Sequence, residues 1–196
     1  MSYRYYIVYK PYQVLSQFTS IDGKLCLKDF FAVEEDVYPI GRLDYDSEGL
    51  LILTNDPTLN ARLLNPKHAH RREYLVQCEG IVSPDALNQI EKGVQIRVNA
   101  KLYQTQPCRA KQLTAIPTLP ERNPPIRQRK HIPTSWVSLY LTEGKNRQVR
   151  KMMARVGYPV LRLVRYRIEQ IHIEGMKAGD IRRLSKQTIY LKLFGK

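Results

Sequence analysis

Apolar residues in this 196-residue chain come in short runs closed by Pro or Gly, and that punctuation limits the fold more than any other feature. No run approaches the roughly 20 apolar residues of a membrane-spanning helix. Strand-like segments are expected over residues 3–9, 50–54, 73–79, 135–142, 167–173 and 188–194, and Val94, Ile96 and Val98 alternate in a further strand. Tyr74, Val76 and Cys78 share one face of the 73–79 segment. Helix signals are few and local. Asp56 before Pro57 reads as an N-cap leading a helix through Leu59, Leu63 and Leu64, and Ser83-Pro84 opens a short helix that Gly93 stops. Many short strands with few short helices imply an α+β architecture: a mixed, largely antiparallel sheet with short flanking helices.

Charge narrows the function. The chain has 32 Lys and Arg against 18 Asp and Glu, a net of +14. Residues 92–168 hold 17 of the basic side chains and only Glu121 and Glu143 as acids, so that segment carries +15 and the remainder about −1. One strongly basic region of this kind suits a phosphate-rich partner. Cys26, Cys78 and Cys108 are too scattered for a zinc pattern and odd in number for a secreted disulfide scaffold, so a reducing cytoplasm is expected. His68 and His70 read as surface residues rather than metal ligands.

The segment LPERNPPIRQRKHIPTSW (119–136) carries four prolines, which exclude a helix or a central strand. Its charges, Arg127, Arg129 and Lys130 among them, predict a semi-rigid basic loop that meets RNA.

Two further segments could carry chemistry. GRLDYDSEGLLILTND (41–56) gathers Asp44, Asp46, Glu48 and Asp56 in one turn and the strand after it, an acid cluster that would repel RNA unless one carboxylate has a task. Asp46 and Glu48 also suit turn or capping roles. EGKNRQVRKMMARVG (143–157) predicts a helix from about Asn146 to Gly157, with Val149, Met152, Met153 and Val156 as its buried stripe. Arg147, Lys151 and Arg155 then lie on the far side, where they can follow a phosphate backbone. Arg150 sits at the edge of the stripe, and a guanidinium leaning inward there needs an anion, for which Asp44 is the candidate.

These segments resemble the motifs of the RsuA-type ribosomal pseudouridine synthases: GRLD followed by SEGLLILTND, REYLV at 72–76, EGKNRQVRKM at 143–152 and LRLVR at 161–165. The likeness runs from Tyr9-Lys10-Pro11 to the late strands. It implies a single pseudouridine synthase catalytic domain over 1–196, with lobes of roughly 1–66 and 71–196 around a central cleft and no S4-type RNA-binding domain. It also implies isomerisation of a uridine in large-subunit (23S) ribosomal RNA with no cofactor and no metal; a monomer is expected. By similarity, Asp44 attacks or deprotonates the target ribose, Arg150 pairs with Asp44, and Tyr74 stacks on the uracil and can assist loss of its C5 proton. Arg42 would help splay the RNA, and Arg72, where many relatives have lysine, would keep a cationic contact alongside Lys145. The rival readings are a non-catalytic RNA-binding or assembly protein on the same fold, and a synthase acting on another RNA.

Overall fold

The computed structural model describes residues 2–126, 129 and 131–195. It divides into two compact units, Met1–His70 with Val164–Lys196, and Arg71–Leu163.

The first unit opens with β1 (Tyr5–Lys10), β2 (Tyr38–Pro39) and β3 (Glu48–Thr54), followed by α1 (Pro57–Leu64). All residues of β1 and β3 are buried, so both faces of this strand pair are covered. β1 and β3 pair antiparallel with Tyr9 opposite Leu50. One face contributes Tyr6, Val8, Leu51 and Leu53 to a core shared with Val14, Leu27, Phe31 and Val37. α1 begins as its local sequence requires: Asp56 accepts from the N–H of Thr58 and Leu59, and Pro57 occupies the first helical position.

The second unit contains β4 (Arg72–Glu79), α2 (Pro84–Lys92), the hairpin of β5 (Gln95–Val98) and β6 (Lys101–Gln104), β7 (Arg109–Leu113), β8 (Thr134–Leu141) and α3 (Gln148–Arg155). β8 lies between β4 and β7, antiparallel to both, with Tyr74 opposite Leu139. Ser83 caps α2 through its hydroxyl, and Gly93 ends it. Val76 and Cys78 meet Val137, Leu139 and Leu141 on one face of the strands, where Ile90 of α2 and Val149, Met152 and Met153 of α3 close the core. Val156, the last position of the expected stripe, packs against the same cluster.

The unit boundary falls inside β9 (Val160–Ile168). Its later half returns to the first unit, pairing parallel with β3 at Glu48 and Gly49. Gly49 has φ +107°, and a Cβ there would collide with the backbone oxygen of Arg165. β10 (Ile171–His172) folds back on β9, β11 (Ile181–Leu184) covers the free edge of β1, and α4 (Lys186–Phe194) ends the chain.

Two expected strands are corrected. Residues 188–194 form α4: the Ser185 side chain accepts from the Thr188 N–H as an N-cap, and Ile189 and Leu193 are buried at a spacing of four while Leu191 between them is 64% exposed. The 167–173 segment is two strands joined at Glu169, whose φ of +48° turns the chain. Among the described residues no helix is long and apolar enough to cross a membrane.

Candidate active site

Asp44 projects from the loop entering β3, and the backbone on either side of it is tied down. Leu43 is buried, and a single buried hydroxyl serves both of its peptide groups: Ser16 Oγ accepts from Leu43 N–H (3.0 Å) and donates to Leu43 C=O (2.8 Å). The Asp44 carbonyl accepts from Ser47 N–H (3.0 Å), closing a turn, and the Tyr45 carbonyl accepts from Gln13 N–H (2.9 Å). Gln13 has φ +55°, a left-handed conformation held at the element that braces the loop. With Leu43 inward, Arg42 is exposed and the Asp44 side chain half-buried. The loop thus holds Asp44, Asp46 and the Arg42 guanidinium on a fixed backbone.

Lys10 lies near this loop and is fully buried, with Nζ donating to the carbonyls of Pro11 (2.9 Å) and Val14 (2.7 Å). Burial pushes its pKa down to about 7; Glu48 pulls the other way, Arg165 adds to the depression, and Asp46 and Asp44 favour the charged form. Glu48 is the buried first residue of β3 rather than a turn or capping residue, and Arg165 Nε donates to the Leu50 carbonyl (2.8 Å). No local pattern in the sequence marks Ser16. The available signal for Lys10 was a lysine ending an apolar strand immediately before Pro11.

Asp56 does structural work. It accepts from the hydroxyls of Tyr5 and Tyr190 (2.8 Å each) as well as the two α1 amides. Burial would raise its pKa, but the hydrogen bonds from Tyr190, Tyr5, Leu59 and Thr58 hold it below the ordinary value. His70 is not a surface residue: it is buried beside Phe194, with Nδ1 3.3 Å from Glu169.

In the second unit, Tyr74 is half-buried and packs on the core beneath α2 and α3, with half-buried Arg72 two residues earlier on the same side of β4. Arg150 is half-buried on α3 and donates Nη1 to the Val160 carbonyl (3.2 Å). The turn before α3 is organised by Gln148, buried on that helix, which accepts from Lys145 N–H (2.9 Å) and donates to Glu143 (2.6 Å). Glu143 also accepts from Gln106 N–H (2.9 Å) and from the Tyr103 hydroxyl. Arg147 is the N-cap of α3, at φ +53° with no side-chain capping bond, and both it and Lys145 are exposed. Arg147, half-buried Lys151 and exposed Arg155 recur every four residues along one side of the helix, a cationic strip suited to a phosphate backbone.

Arg129 is exposed and pairs with Glu79 (3.0 Å); Arg127 and Lys130 lie outside the described residues. Among the described residues no group of three or more His, Cys, Asp or Glu side chains is arranged to hold a metal ion.

A family model described as RNA pseudouridylate synthase matches residues 4–155, from the strand before the Asp44 loop through α3. "Ribosomal large subunit pseudouridine synthase E" of Vibrio parahaemolyticus is 45% identical over 171 residues, which cover 87% of this chain and 69% of that protein. The protein of the same name from Xanthomonas axonopodis pv. citri is 44% identical over 169 residues, covering 85% and 86%. A solved structure, "Crystal structure of pseudouridylate synthase", matches with a TM-score of 0.79 and 25% identity over 98% of this chain and 74% of that one.

Proposed function

Because the chain belongs to the RNA pseudouridylate synthase family, we propose that it isomerises a specific uridine of large-subunit ribosomal RNA to pseudouridine, with Asp44 as the catalytic carboxylate. The observation that carries the assignment of Asp44 is the braced loop: the backbone around it is bonded to Ser16 and Gln13. A carboxylate held in this way needs little reorganisation to reach a substrate.

In the reaction the N1–C1′ bond breaks, the uracil turns, and a C5–C1′ bond forms; C5 loses its proton and N1 gains one. Atoms and electrons balance without an oxidant, reductant or group donor. Asp44 serves the ribose as nucleophile or base. Tyr74 stacks on the uracil and assists removal of the C5 proton, while Arg42 holds the space the base leaves. Arg150 serves as the cationic partner of the Asp44 carboxylate. A paired uridine must leave its stack at a cost of a few kcal/mol. Phosphate contacts from Arg72, Lys145, Arg147, Lys151 and Arg155, and from Arg127, Arg129 and Lys130 of the proline-rich loop, offset that cost. The protein acts as a monomer on RNA in the cytoplasm.

The test is a map of pseudouridines across ribosomal RNA from cells with and without the protein. One large-subunit site is expected to disappear, to return with the wild-type gene, and not to return with Asp44→Asn. An unchanged map overturns the proposal and favours a non-catalytic RNA-binding role; a lost site in another RNA overturns the substrate.

A further inference from the structure

The second unit contains an open cavity of about 470 Å³ that the roles above touch only through Arg129. Gln77 forms part of its wall and lies three residues after Tyr74 on β4, so it points to the opposite face of the strand. The cavity is therefore distinct from the Tyr74 side, about 10 Å farther along the strand.

Its wall is fixed in an unusual way. Prolines lack the N–H but keep the carbonyl, and the carbonyls of the proline-rich loop receive donors from arginine side chains. Arg122 donates to Pro124 (2.8 Å), Pro125 (3.2 Å) and Leu161 (3.3 Å). Arg162, only 7% exposed, donates to Pro120 (2.8 Å). The loop is thus folded back on itself by two guanidiniums that also line the cavity.

The lining combines three kinds of surface. Pro125, Ile126 and Ile132 give an apolar wall, while the cations Arg122, Arg129 and Arg162 stand against two carboxylates, Glu121 in the lining and Glu79 paired with Arg129, which leaves a net positive charge. Gln77 Nε2 donates to Thr134 Oγ1 (3.2 Å), which leaves Gln77 Oε1 as an acceptor beside the Thr134 hydroxyl as a donor. An inorganic anion alone would leave the apolar wall uncovered. A flat heterocycle joined to a phosphate matches all three surfaces, and the volume lies within the range of small-ligand sites.

We propose that this cavity takes an unpaired nucleotide of the RNA substrate other than the target uridine. Its base lies against the Pro125, Ile126 and Ile132 wall, its edge is read by Gln77 and Thr134, and its phosphate meets the guanidiniums. Unpaired bases are the part of an RNA that carries readable sequence, so the cavity selects the RNA site while Asp44 performs the chemistry. The inference rests on the reading of the substrate as RNA.

The test uses the full chain and unmodified large-subunit ribosomal RNA. Gln77→Leu and Thr134→Val are expected to lower kcat/KM by about tenfold each, the discrimination lost with one base-edge contact pair, with the loss in KM and the melting temperature unchanged. A photo-crosslinking amino acid replacing Ile126 should label one nucleotide, different from the modified uridine, and Gln77→Leu should abolish that label. An active wild type whose kcat/KM is unchanged in both variants, with no label, overturns the proposal while leaving the catalytic reading intact. A wild type that makes no pseudouridine overturns the catalytic reading, and the label then decides the cavity by itself. Binding of free nucleoside monophosphates that depends on Gln77, without any effect on RNA kinetics or labelling, would also overturn it, since the site would then serve small molecules.

Discussion

Replacing Ser16 by alanine removes the one side chain that satisfies both peptide groups of Leu43, the residue before Asp44. Both bonds are buried and lie 27 residues apart in sequence, so the loop has no local substitute for them. A buried peptide group left without a partner costs about 1–3 kcal/mol. With water reaching one of the two groups and not the other, Ser16→Ala should destabilise the protein by about 1–3 kcal/mol in urea unfolding. The effect on chemistry is separable, because a displacement of about 1 Å at a reacting group can cost on the order of 100-fold in rate. Single-turnover assays under conditions where the variant is fully folded should therefore show a rate reduced by about 10- to 100-fold with RNA affinity unchanged. Ser16→Thr, which keeps the hydroxyl, should recover much of both losses. A variant destabilised by less than about 0.5 kcal/mol that turns over within about twofold of wild type would refute the idea that this hydroxyl positions Asp44.

Asp44→Asn should abolish pseudouridine formation in a tritium-release assay while RNA affinity stays equal or rises slightly, since the amide keeps the shape and removes a negative charge; retained turnover, or inactivity of Asp46→Asn instead, would reject the assignment. Asp56→Ala should cost about 3–5 kcal/mol by chemical denaturation, from a lost helix cap plus two tyrosine hydroxyls deprived of their acceptor, and a cost under about 1 kcal/mol would contradict the structure. Its folded pKa is depressed, so the stability it contributes is present above the ordinary carboxylate value and lost as pH falls through the folded value. Lys10 has the opposite sign from a paired lysine: with its pKa lowered to about 7, the unfolded chain binds more protons above that pH, so stability should rise from pH 7 toward 9. Above pH 9 the buried Cys78 and Cys108 thiols, raised to about 12 and about 11, begin to oppose the trend. Lys10→Met should flatten the rise, as read by denaturation midpoints across that window.

What the sequence made legible was what neighbours in the chain decide. The α1 and α2 caps at Asp56 and Ser83, the stop at Gly93 and the Val149-Met152-Met153 stripe were all readable because each depends on residues within a turn or two. Residues 188–194 were misread because Thr188, Ile189 and Tyr190 favour strands, and only the Ser185 cap and burial of Ile189 and Leu193 make them helical. At the candidate site the acid loop was visible, but its supports were not. Ser16, Gln13 and Lys10 act on the loop from distant sequence positions, and no local pattern distinguishes a serine that braces a buried backbone from one facing water. Gln148 was hidden differently: the helical wheel marks it polar, yet it is buried to hold Glu143 and the Lys145 amide.

The order of the strands also bears on how the protein is made. β1 is the first strand of its sheet to be made; β3 pairs with one edge early, but β11 covers the other edge only after residue 184 has been synthesised. At about 5–20 residues per second, the interval from residue 54 to residue 184 lasts roughly 6–26 s. Throughout that time the largely hydrophobic strand Tyr5–Lys10 presents an open edge to other nascent chains. Cells translating this message under heat stress, or a chain cut short before residue 181, should yield aggregates seeded by Tyr5–Lys10 rather than a soluble fragment, which makes Ile181–Leu184 a quality checkpoint for the strand it covers.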